Sequence, residues 1–203
     1  TDSLGRCGPV SVTRARGVVV SGVEGLVVEV EAYLAAGLPG MTIVGLGDTA
    51  VGEARDRVRA AVHNSDLPWP TERRITIGLS PASVHKRGAS LDVSIAVAVL
   101  AAQGAVPEAP DTVFIGELAL DGRVAPVRGV LVAALAASRA GAQRLVVPRA
   151  QVAEARLVSG MTVVGVDRLG DAVAWLRGQD VGQEAVAGEV PPQVATPVVP
   201  DLA

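Results

Sequence analysis

The residues best placed to do chemistry lie in the stretch 80–92, between a predicted strand and an apolar segment. Ser90 follows Lys86 and Arg87 closely in this stretch, and Asp92 comes two residues later. A desolvated lysine can activate a serine, so a Ser–Lys dyad is the first hypothesis. The alternative is structural, with Ser90 capping the helix that follows and Lys86 solvated. In that interpretation Asp92 is an acid favoured by the helix dipole and paired with Lys86 or Arg87.

A second hypothesis concerns phosphate. The chain has 18 basic residues, and Lys86 is the only lysine among them. Guanidinium groups suit phosphate oxygens, so a local basic patch could hold nucleic acid. The predicted contacts are Arg73, Arg74, Lys86, Arg87, Arg123 and Arg128, with Arg55, Arg57 and Arg59 also close in sequence. The alternative is an ordinary charged surface, because Glu53, Asp56 and Glu72 are interspersed among these arginines.

Residue counts exclude several other kinds of site. One cysteine and two histidines are too few for a thiolate zinc site or a histidine metal centre. The P-loop pattern GxxxxGK[ST] is absent, so these residues do not bind ATP by a P-loop. Two Trp, one Tyr and one Phe argue against a stacking platform for single-stranded nucleic acid. A net charge of −3 gives no overall attraction to DNA.

The chain shows no feature that would place it in or across a membrane. Its longest apolar run, 89–102, is shorter than the roughly 20 residues of a membrane-spanning helix. The first residues lack the basic segment followed by an apolar segment that a secretory signal has. With a single cysteine, this predicts a cytoplasmic protein with no membrane partner.

Hydrophobic periodicity predicts alternating strands and helices, which is typical of an α/β fold. The strands are predicted at 10–20, 26–34, 41–44, 73–79, 113–120, 124–127, 144–147 and 161–166. The helices are predicted at 50–64, 89–102, 130–139, 151–157 and 169–176. The helix at 89–102 is apolar nearly all round and should be buried on most sides. After residue 178 prolines recur and aromatic residues are absent, so we expect a folded domain over 1–178 and a Pro-containing linker over 179–203.

Three blocks of sequence resemble the N-terminal region of magnesium-chelatase-like AAA+ ATPases of the ComM type. They are GLPGMTIVGLGDTAVGEARDRVRAAVHNS, RRITIGLSPASVHKRGASLDVSIAVAVLAA and FIGELALDGRVAPVRGVLVAALAASRAG. The resemblance implies the ribosomal protein S5 domain 2-like fold, similar to the proteolytic domain of Lon. It also implies that an AAA+ ATPase module follows the linker in a longer protein. ATP and Mg²⁺ are expected there, and no cofactor is expected in this chain.

The resemblance to Lon extends to single residues. The segment KRGAS ending at Ser90 resembles the Lon segment KDGPS, whose serine is the nucleophile. The lysine that serves as base in Lon lies in a block similar to 122–131, and the residue at its position here is Leu131. An alkyl side chain cannot accept a proton from a serine, so the dyad is incomplete. Lys86 corresponds to a different Lon lysine, which is not the base.

The resemblance therefore implies a domain without catalytic activity in a larger ATPase. Its expected role is to assist DNA binding or ring assembly in a hexameric helicase that drives branch migration during recombination. Its expected partners are DNA, its own AAA+ module and further copies of the same protein. Two alternatives stay open: a residual serine peptidase that uses Ser90 with another base, and a subunit of a magnesium-chelatase-type metal-insertion complex.

Overall fold

The computed structural model describes residues 12–45, 49–82, 88–181 and 184–186, with 49–52 and 184–186 described by their backbone only. The strands are β1 (Val12–Ser21), β2 (Glu24–Ala36), β3 (Gly40–Val44), β4 (Arg73–Ser80), β5 (Thr112–Phe114), β6 (Glu117–Leu118), β7 (Val124–Ala125), β8 (Arg144–Pro148), β9 (Thr162–Val166) and β10 (Glu184–Val186). The helices are α1 (Thr49–Asn64), α2 (Asp92–Ala102), α3 (Val130–Arg139), α4 (Val152–Ala155) and α5 (Leu169–Leu176).

One mixed sheet organises these elements, in the strand order β10-β9-β8-β5-β1-β2-β4-β3. β1 and β2 form an antiparallel hairpin, and β4 runs antiparallel to β2. β5, β8 and β9 run parallel to one another, and β5 is parallel to β1. β3 is parallel to β4 and forms one edge, while β6 and β7 make a separate hairpin. The predicted α/β class is therefore confirmed.

Helices cover both faces of this sheet, each over its own hydrophobic cluster. α1, α2 and α5 pack on one face, against alternate residues of β2 and β4 such as Val30 and Ile77. α3 and α4 pack on the other face, against residues of β1, β5 and β8 such as Val18 and Leu145. The alternation of side chains along each strand supplies both clusters from one sheet.

Helix α2 lies at the centre of the first cluster, and its residues from Asp92 to Ala101 are all buried. This confirms the prediction from its uniform apolar character. β1 approaches the start of α2 closely because residue 17 is glycine. A Cβ atom on Gly17 would lie 2.6 Å from Leu91 Cδ2 and 2.7 Å from Ser94 Oγ. The position of α2 is thus set by direct contact with the first hairpin.

Two predicted elements differ in the structure. The predicted strand 113–120 is divided into β5 and β6, which belong to different sheets. The chain leaves the main sheet at Gly116, whose N–H donates to the carbonyl of Ser90 at 3.2 Å. A Cβ atom there would lie 2.5 Å from Val124 Cγ1, so only glycine fits this close passage. The helix predicted from residue 89 begins at Asp92, because residues 89–92 form a turn closed by the Asp92 N–H and the Ala89 carbonyl.

The end of the described chain adds a strand that periodicity did not reveal. Residues 184–186, within the predicted linker, form β10 and pair antiparallel with β9. Three residues are too few to show an alternating pattern, so sequence reasoning could not find this strand. Among the helices of the described residues, none combines the length and apolar character needed to cross a membrane.

Candidate functional site

A groove of about 560 Å³ brings together four arginines from two separate elements. Arg55 and Arg59 lie about one turn apart on α1, and Arg73 and Arg74 begin β4. All four are exposed. Within the described part of the chain, Asp56 is the one acidic residue that lines this arginine groove. The groove is therefore positive even though the whole chain carries a net charge of −3.

The local folding of α1 explains why its arginines reach the groove. Ala54 and Val58 are buried in the first hydrophobic cluster and fix the inner side of the helix. The helical period then places Arg55 and Arg59 on the adjacent outer strip. Arg74 sits opposite Gly40 in the parallel pairing of β3 with β4, so the turn before β3 forms the facing wall.

The rest of the groove wall is largely apolar. Leu38, on the turn between β2 and β3, is 89% exposed. Met41 and Trp69 also line the groove, and both pack partly against the first hydrophobic cluster. The arginine groove thus combines several cations with one partly exposed aromatic ring.

Asp56 holds one of the four guanidinium groups. Arg55 Nε and Nη2 donate to Asp56 Oδ1 and Oδ2 at 3.0 and 3.2 Å. These hydrogen bonds lower the pKa of Asp56, burial opposes the shift, and the charges of Arg55 and Arg59 add to the lowering. The pair is exposed on both sides, so its net stabilisation is small. A phosphate could therefore displace Asp56 from Arg55 at little cost.

Arg57, between the groove arginines of α1, makes a buried ion pair instead. Its Nε and Nη2 donate to Asp92 Oδ2 and Oδ1 at 2.7 and 3.1 Å. Asp92 is fully buried and also accepts the Leu118 N–H at 3.1 Å. Burial raises the pKa of Asp92, while the hydrogen bonds from Arg57 and Leu118 oppose that rise. The same hydrogen bond raises the pKa of Arg57.

The structure thus gives Asp92 a partner that the sequence did not predict, and the pairing with Lys86 or Arg87 stays a prediction. The sequence favoured Lys86 or Arg87, and the cation found on the carboxylate is Arg57, because α1 packs beside the start of α2. Lys86 and Arg87 lie outside the described residues. The predicted position of Asp92 in the first turn of α2 is confirmed. Sequence reasoning missed Arg57 because 35 residues separate the partners. The sequence did hold one signal for this pair: Arg57 precedes the buried Val58, at the border of the apolar strip of α1.

Ser90 is held by the first hairpin. Its Oγ donates to the carbonyl of Val18 at 2.7 Å. The predicted capping role is wrong, because the residue at the N-cap of α2 is Leu91, whose side chain makes no capping hydrogen bond. The Val93 N–H donates to the carbonyl of Gly116 at 3.4 Å. The first N–H groups of a helix have no acceptor within the helix, and here the carbonyl of Gly116 accepts one of them.

Leu131 lies in the first turn of α3, and its side chain packs against the second hydrophobic cluster. Its N–H donates to Glu154 Oε1 at 3.2 Å. The hydroxyl proton of Ser90 is directed at a carbonyl oxygen, which is not a general base. Ser90 and Leu131 as arranged therefore provide a hydroxyl without a proton acceptor.

Of the other predicted phosphate contacts, Arg123 and Arg128 do not line the arginine groove, and Lys86 and Arg87 lie outside the described residues. Arg123 Nε pairs with Asp121 Oδ2 at 2.7 Å, beside a cleft that Asp167 and Arg168 also line. Arg128 is exposed between β7 and α3. Of the predicted contacts that the structure describes, Arg73 and Arg74 both line the arginine groove. Arg55 and Arg59 supply its other two guanidinium groups.

No metal site is visible at these positions. Within the described ranges, no group of three or more His, Cys, Asp or Glu residues could hold a metal ion. The four guanidinium groups that line the arginine groove can bind anions through charge-assisted hydrogen bonds.

Comparison with known proteins places this site in a family. Residues 30–151 match the family model described as subunit ChlI of Mg-chelatase. Uncharacterized protein Rv2897c of Mycobacterium tuberculosis (strain ATCC 25618 / H37Rv) is 48% identical over 186 residues, which are 91% of this chain and 36% of that protein. Competence protein ComM of Haemophilus influenzae (strain ATCC 51907 / DSM 11121 / KW20 / Rd) is 38% identical over 161 residues, 78% of this chain and 31% of that protein.

The chain is also similar to a protease. Lon protease of Salinispora arenicola (strain CNS-205) is 30% identical over 187 residues, which are 86% of this chain and 24% of that protein. The matched regions thus span between 24% and 36% of the length of these three relatives. The family model covers more than half of the chain, and the match with Rv2897c covers nearly all of it. The chain therefore belongs to the family of Mg-chelatase subunit ChlI, as a Mg-chelatase-like AAA+ family member.

Proposed function

We propose that this chain is a non-catalytic domain of a Mg-chelatase-like AAA+ ATPase and that it binds DNA through the arginine groove. The observation that carries the proposal is the convergence of Arg55, Arg59, Arg73 and Arg74 on one groove with a single acidic residue in its described lining. Guanidinium groups on two rigid elements can each take a different phosphate of one backbone.

The absence of catalysis in this domain is supported by the serine position. The Ser90 hydroxyl donates a hydrogen bond to a backbone carbonyl, and the partly buried alkyl side chain of Leu131 lies where the resemblance to Lon expects the base. The similarity to Lon protease supports the S5 domain 2-like fold as part of this proposal. The boundary between a domain over 1–178 and a linker over 179–203 belongs to it as well.

The activity proposed for the whole protein goes further than this chain. For the whole protein, the resemblance to the ComM type implies a hexameric, ATP- and Mg²⁺-dependent helicase that drives branch migration in the cytoplasm. The similarity to competence protein ComM supports membership of that type. In that protein the domain would hold DNA, or help assemble the ring, while another module hydrolyses ATP. Copies of the groove around a ring would bind one DNA molecule with high avidity.

The direct test is DNA binding by the full-length protein, measured by fluorescence anisotropy with labelled duplex and branched DNA. The double variant Arg73→Glu/Arg74→Glu should weaken binding strongly. The double alanine variant should lower the slope of log K against log salt by about 2, because each lost phosphate contact removes about one. Charge reversal at Lys86 and Arg87 measures the contribution of these two residues separately.

The matched control is Arg139→Glu, since Arg139 is an exposed arginine in the last turn of α3. Its change in charge equals that of the single variant Arg73→Glu but lies on the opposite side of the sheet, so it should leave binding nearly unchanged where Arg73→Glu weakens it. An assembled full-length protein that binds no DNA at low salt would contradict the proposal. So would an equal loss of affinity in the Arg139 variant.

The similarity to Lon protease favours a second candidate, a serine peptidase that uses Ser90 with an unidentified base. A serine-directed fluorophosphonate and a casein cleavage assay distinguish it from the first. We expect neither labelling nor cleavage. Labelling of Ser90 together with cleavage that disappears in Ser90→Ala would establish the peptidase instead.

The family description favours a third candidate, a subunit of a magnesium-chelatase-type complex. The ATPase rate of the full-length protein separates this candidate from DNA binding. We expect the rate to respond to branched DNA and not to protoporphyrin IX. The reverse response would support metal insertion.

A further inference from the structure

Trp69 gives the arginine groove a feature that phosphate binding alone does not use. We infer that the groove receives an unpaired nucleotide of a DNA strand, with its base stacked on the Trp69 ring and its phosphates held by the arginines. This inference rests on the proposed DNA binding and names the form of DNA that the groove takes. It assigns Trp69 a binding role that the residue counts alone argued against.

The Trp69 ring is both fixed and accessible. Its inner part packs against the first hydrophobic cluster, and the side chain keeps intermediate exposure toward the groove. The connector that carries it is held by its own hydrogen bonds. The Thr71 N–H donates to the Trp69 carbonyl at 2.8 Å, and Gln103 Nε2 of the α2 C-cap donates to the Pro68 carbonyl at 3.0 Å. A ring positioned in this way loses little entropy when a base stacks on it.

The charges next to the ring suit the backbone of the same nucleotide. Arg73 and Arg74 follow Trp69 by four and five residues, and Arg55 and Arg59 come from α1. All five side chains line one groove, and Leu38 stands exposed on the facing turn. Proteins that bind single strands combine these two parts, an aromatic ring for the base and a basic track for the phosphates.

A base inside a duplex cannot stack on the Trp69 ring. Inside a duplex each base is covered on both faces by its neighbours, so stacking on a side chain requires an unpaired or extruded base. The groove volume of about 560 Å³ lies in the range of sites that hold a single small ligand. The single ring predicts one stacked base, with the neighbouring phosphates bound by charge alone.

The other tryptophan supplies a matched control. Trp175 lies on α5 and is 9% exposed, and the Arg144 guanidinium carbon is 6.0 Å from its ring centroid. It does not line the arginine groove. α5 packs near β9, and four strands separate β9 from β4 in the sheet. Its fluorescence should therefore not report on a nucleotide in the groove.

The experiment titrates a thymidine 12-mer into this chain at low salt and follows tryptophan emission. The wild type and Trp175→Phe should both be quenched, and Trp69→Phe should show no quenching. Anisotropy of the labelled 12-mer then gives the affinity. Trp69→Leu should weaken binding at least about five-fold, and Trp69→Phe should retain it within about two-fold because phenylalanine still stacks. Circular dichroism of each variant checks that the fold is kept.

Two further titrations identify the occupant. A duplex of the same length should bind the Trp69→Leu variant as it binds the wild type. Thymidine monophosphate should quench Trp69 only at far higher concentrations than the 12-mer. Equal affinity for the monophosphate, or an equal loss of duplex binding, would overturn the inference.

The outcome for this inference is separable from that of the proposed function. If Arg73→Glu/Arg74→Glu loses DNA and Trp69→Leu does not, stacking is refuted while the arginine groove stands. If neither variant of the full-length protein weakens binding, both are refuted.

Discussion

At the scale of single residues, Asp92 is fully buried and forms an ion pair with Arg57, which lies 35 residues earlier in the chain. A carboxylate at full burial needs a partner, because an unpaired charge there is very costly. Arg57 supplies it from two nitrogens, and Leu118 adds a backbone N–H. The pair ties α1 to the start of α2. It therefore fixes the helix from which Arg55 and Arg59 reach the groove.

We expect Asp92→Ala to reduce the free energy of unfolding by about 3 kcal/mol, because removing one partner leaves a charge in a largely buried site. This loss of stability lies at the low end of the range for broken buried ion pairs, because Arg57 is 18% exposed and has Glu53 as a second partner. Urea denaturation measures it. Arg55→Ala, which breaks an exposed pair on the same helix, is the control and should change stability little. Equal effects of the two changes would contradict the assignment.

The raised pKa of Asp92 predicts the sign of a pH effect. Because the pKa is higher in the folded protein than the ordinary value of about 3.9, the folded state binds the proton more tightly. The resulting stability is complete below about pH 4 and is lost as the pH rises through the folded-state pKa. The difference in unfolding free energy between the wild type and Asp92→Asn should therefore decline over that range. A difference that grows with pH would mean that Arg57 outweighs burial.

At the scale of elements, the contact of β1 with the start of α2 decides the local geometry. Gly17 admits Leu91 and Ser94, and the carbonyl of Val18 accepts the hydroxyl of Ser90. These contacts explain why the hydroxyl faces the hairpin and why α2 begins after it. Ser90, which the resemblance to Lon places at the nucleophile's position, therefore packs against the first hairpin in this fold.

Gly17→Ala should destabilise the protein by about 1–3 kcal/mol, because the added methyl group meets atoms less than 3 Å away in a packed core. Thermal or urea unfolding measures this loss. Gly40→Ala is the matched control, since a Cβ atom at Gly40 meets nothing within 4 Å. If both variants are equally stable, β1 and α2 are not in the close contact described.

Ser90→Ala should reduce the free energy of unfolding by about 1 kcal/mol, the usual value of one hydrogen bond. The acceptor left behind is the carbonyl of Val18. The expected DNA affinity is that of the wild type, because Ser90 does not line the arginine groove. A stable Ser90→Ala protein with impaired DNA binding would show that the serine has a functional role after all.

At the scale of the whole molecule, charge is distributed unevenly over a mildly acidic chain. The net charge of −3 opposes DNA, while four arginines lie together at one end of the sheet. The carboxylate of Asp56 offsets part of their positive charge. The balance of these charges should set the affinity for a polyanion and its dependence on salt.

Asp56→Asn should therefore tighten DNA binding and steepen its salt dependence, because it frees Arg55 and removes a negative charge from the groove. The measurement is anisotropy across a salt series with the full-length protein. Glu24→Gln, an exposed acid in the first hairpin, makes the same change in net charge elsewhere. Equal gains from both variants would mean that overall charge, rather than the groove, controls binding.

The sequence by itself determined most of the elements, because hydrophobic periodicity is a local property. The Val-rich first hairpin, the Asp-Gly turn between β6 and β7, and the buried character of α2 all follow from spacing within a few residues. The incomplete dyad is a prediction from the resemblance to Lon, since the alkyl side chain of Leu131 cannot accept a proton. Elements whose ends depend on distant contacts, such as the start of α2 at Asp92, were predicted less well.

Only the tertiary structure decided which charges meet. Arg55 and Arg57 are two residues apart, yet one faces the groove and the other the buried carboxylate of Asp92. Arg74 joins Arg55 because α1 contacts β3, the strand that pairs with β4. Arg123 instead pairs with Asp121 at the β6–β7 hairpin. Charge acts through space over several ångströms, and the distance along the chain does not give the distance in space. The composition of the arginine groove, and the place of Trp69 within it, therefore came from the packing of elements and not from their order.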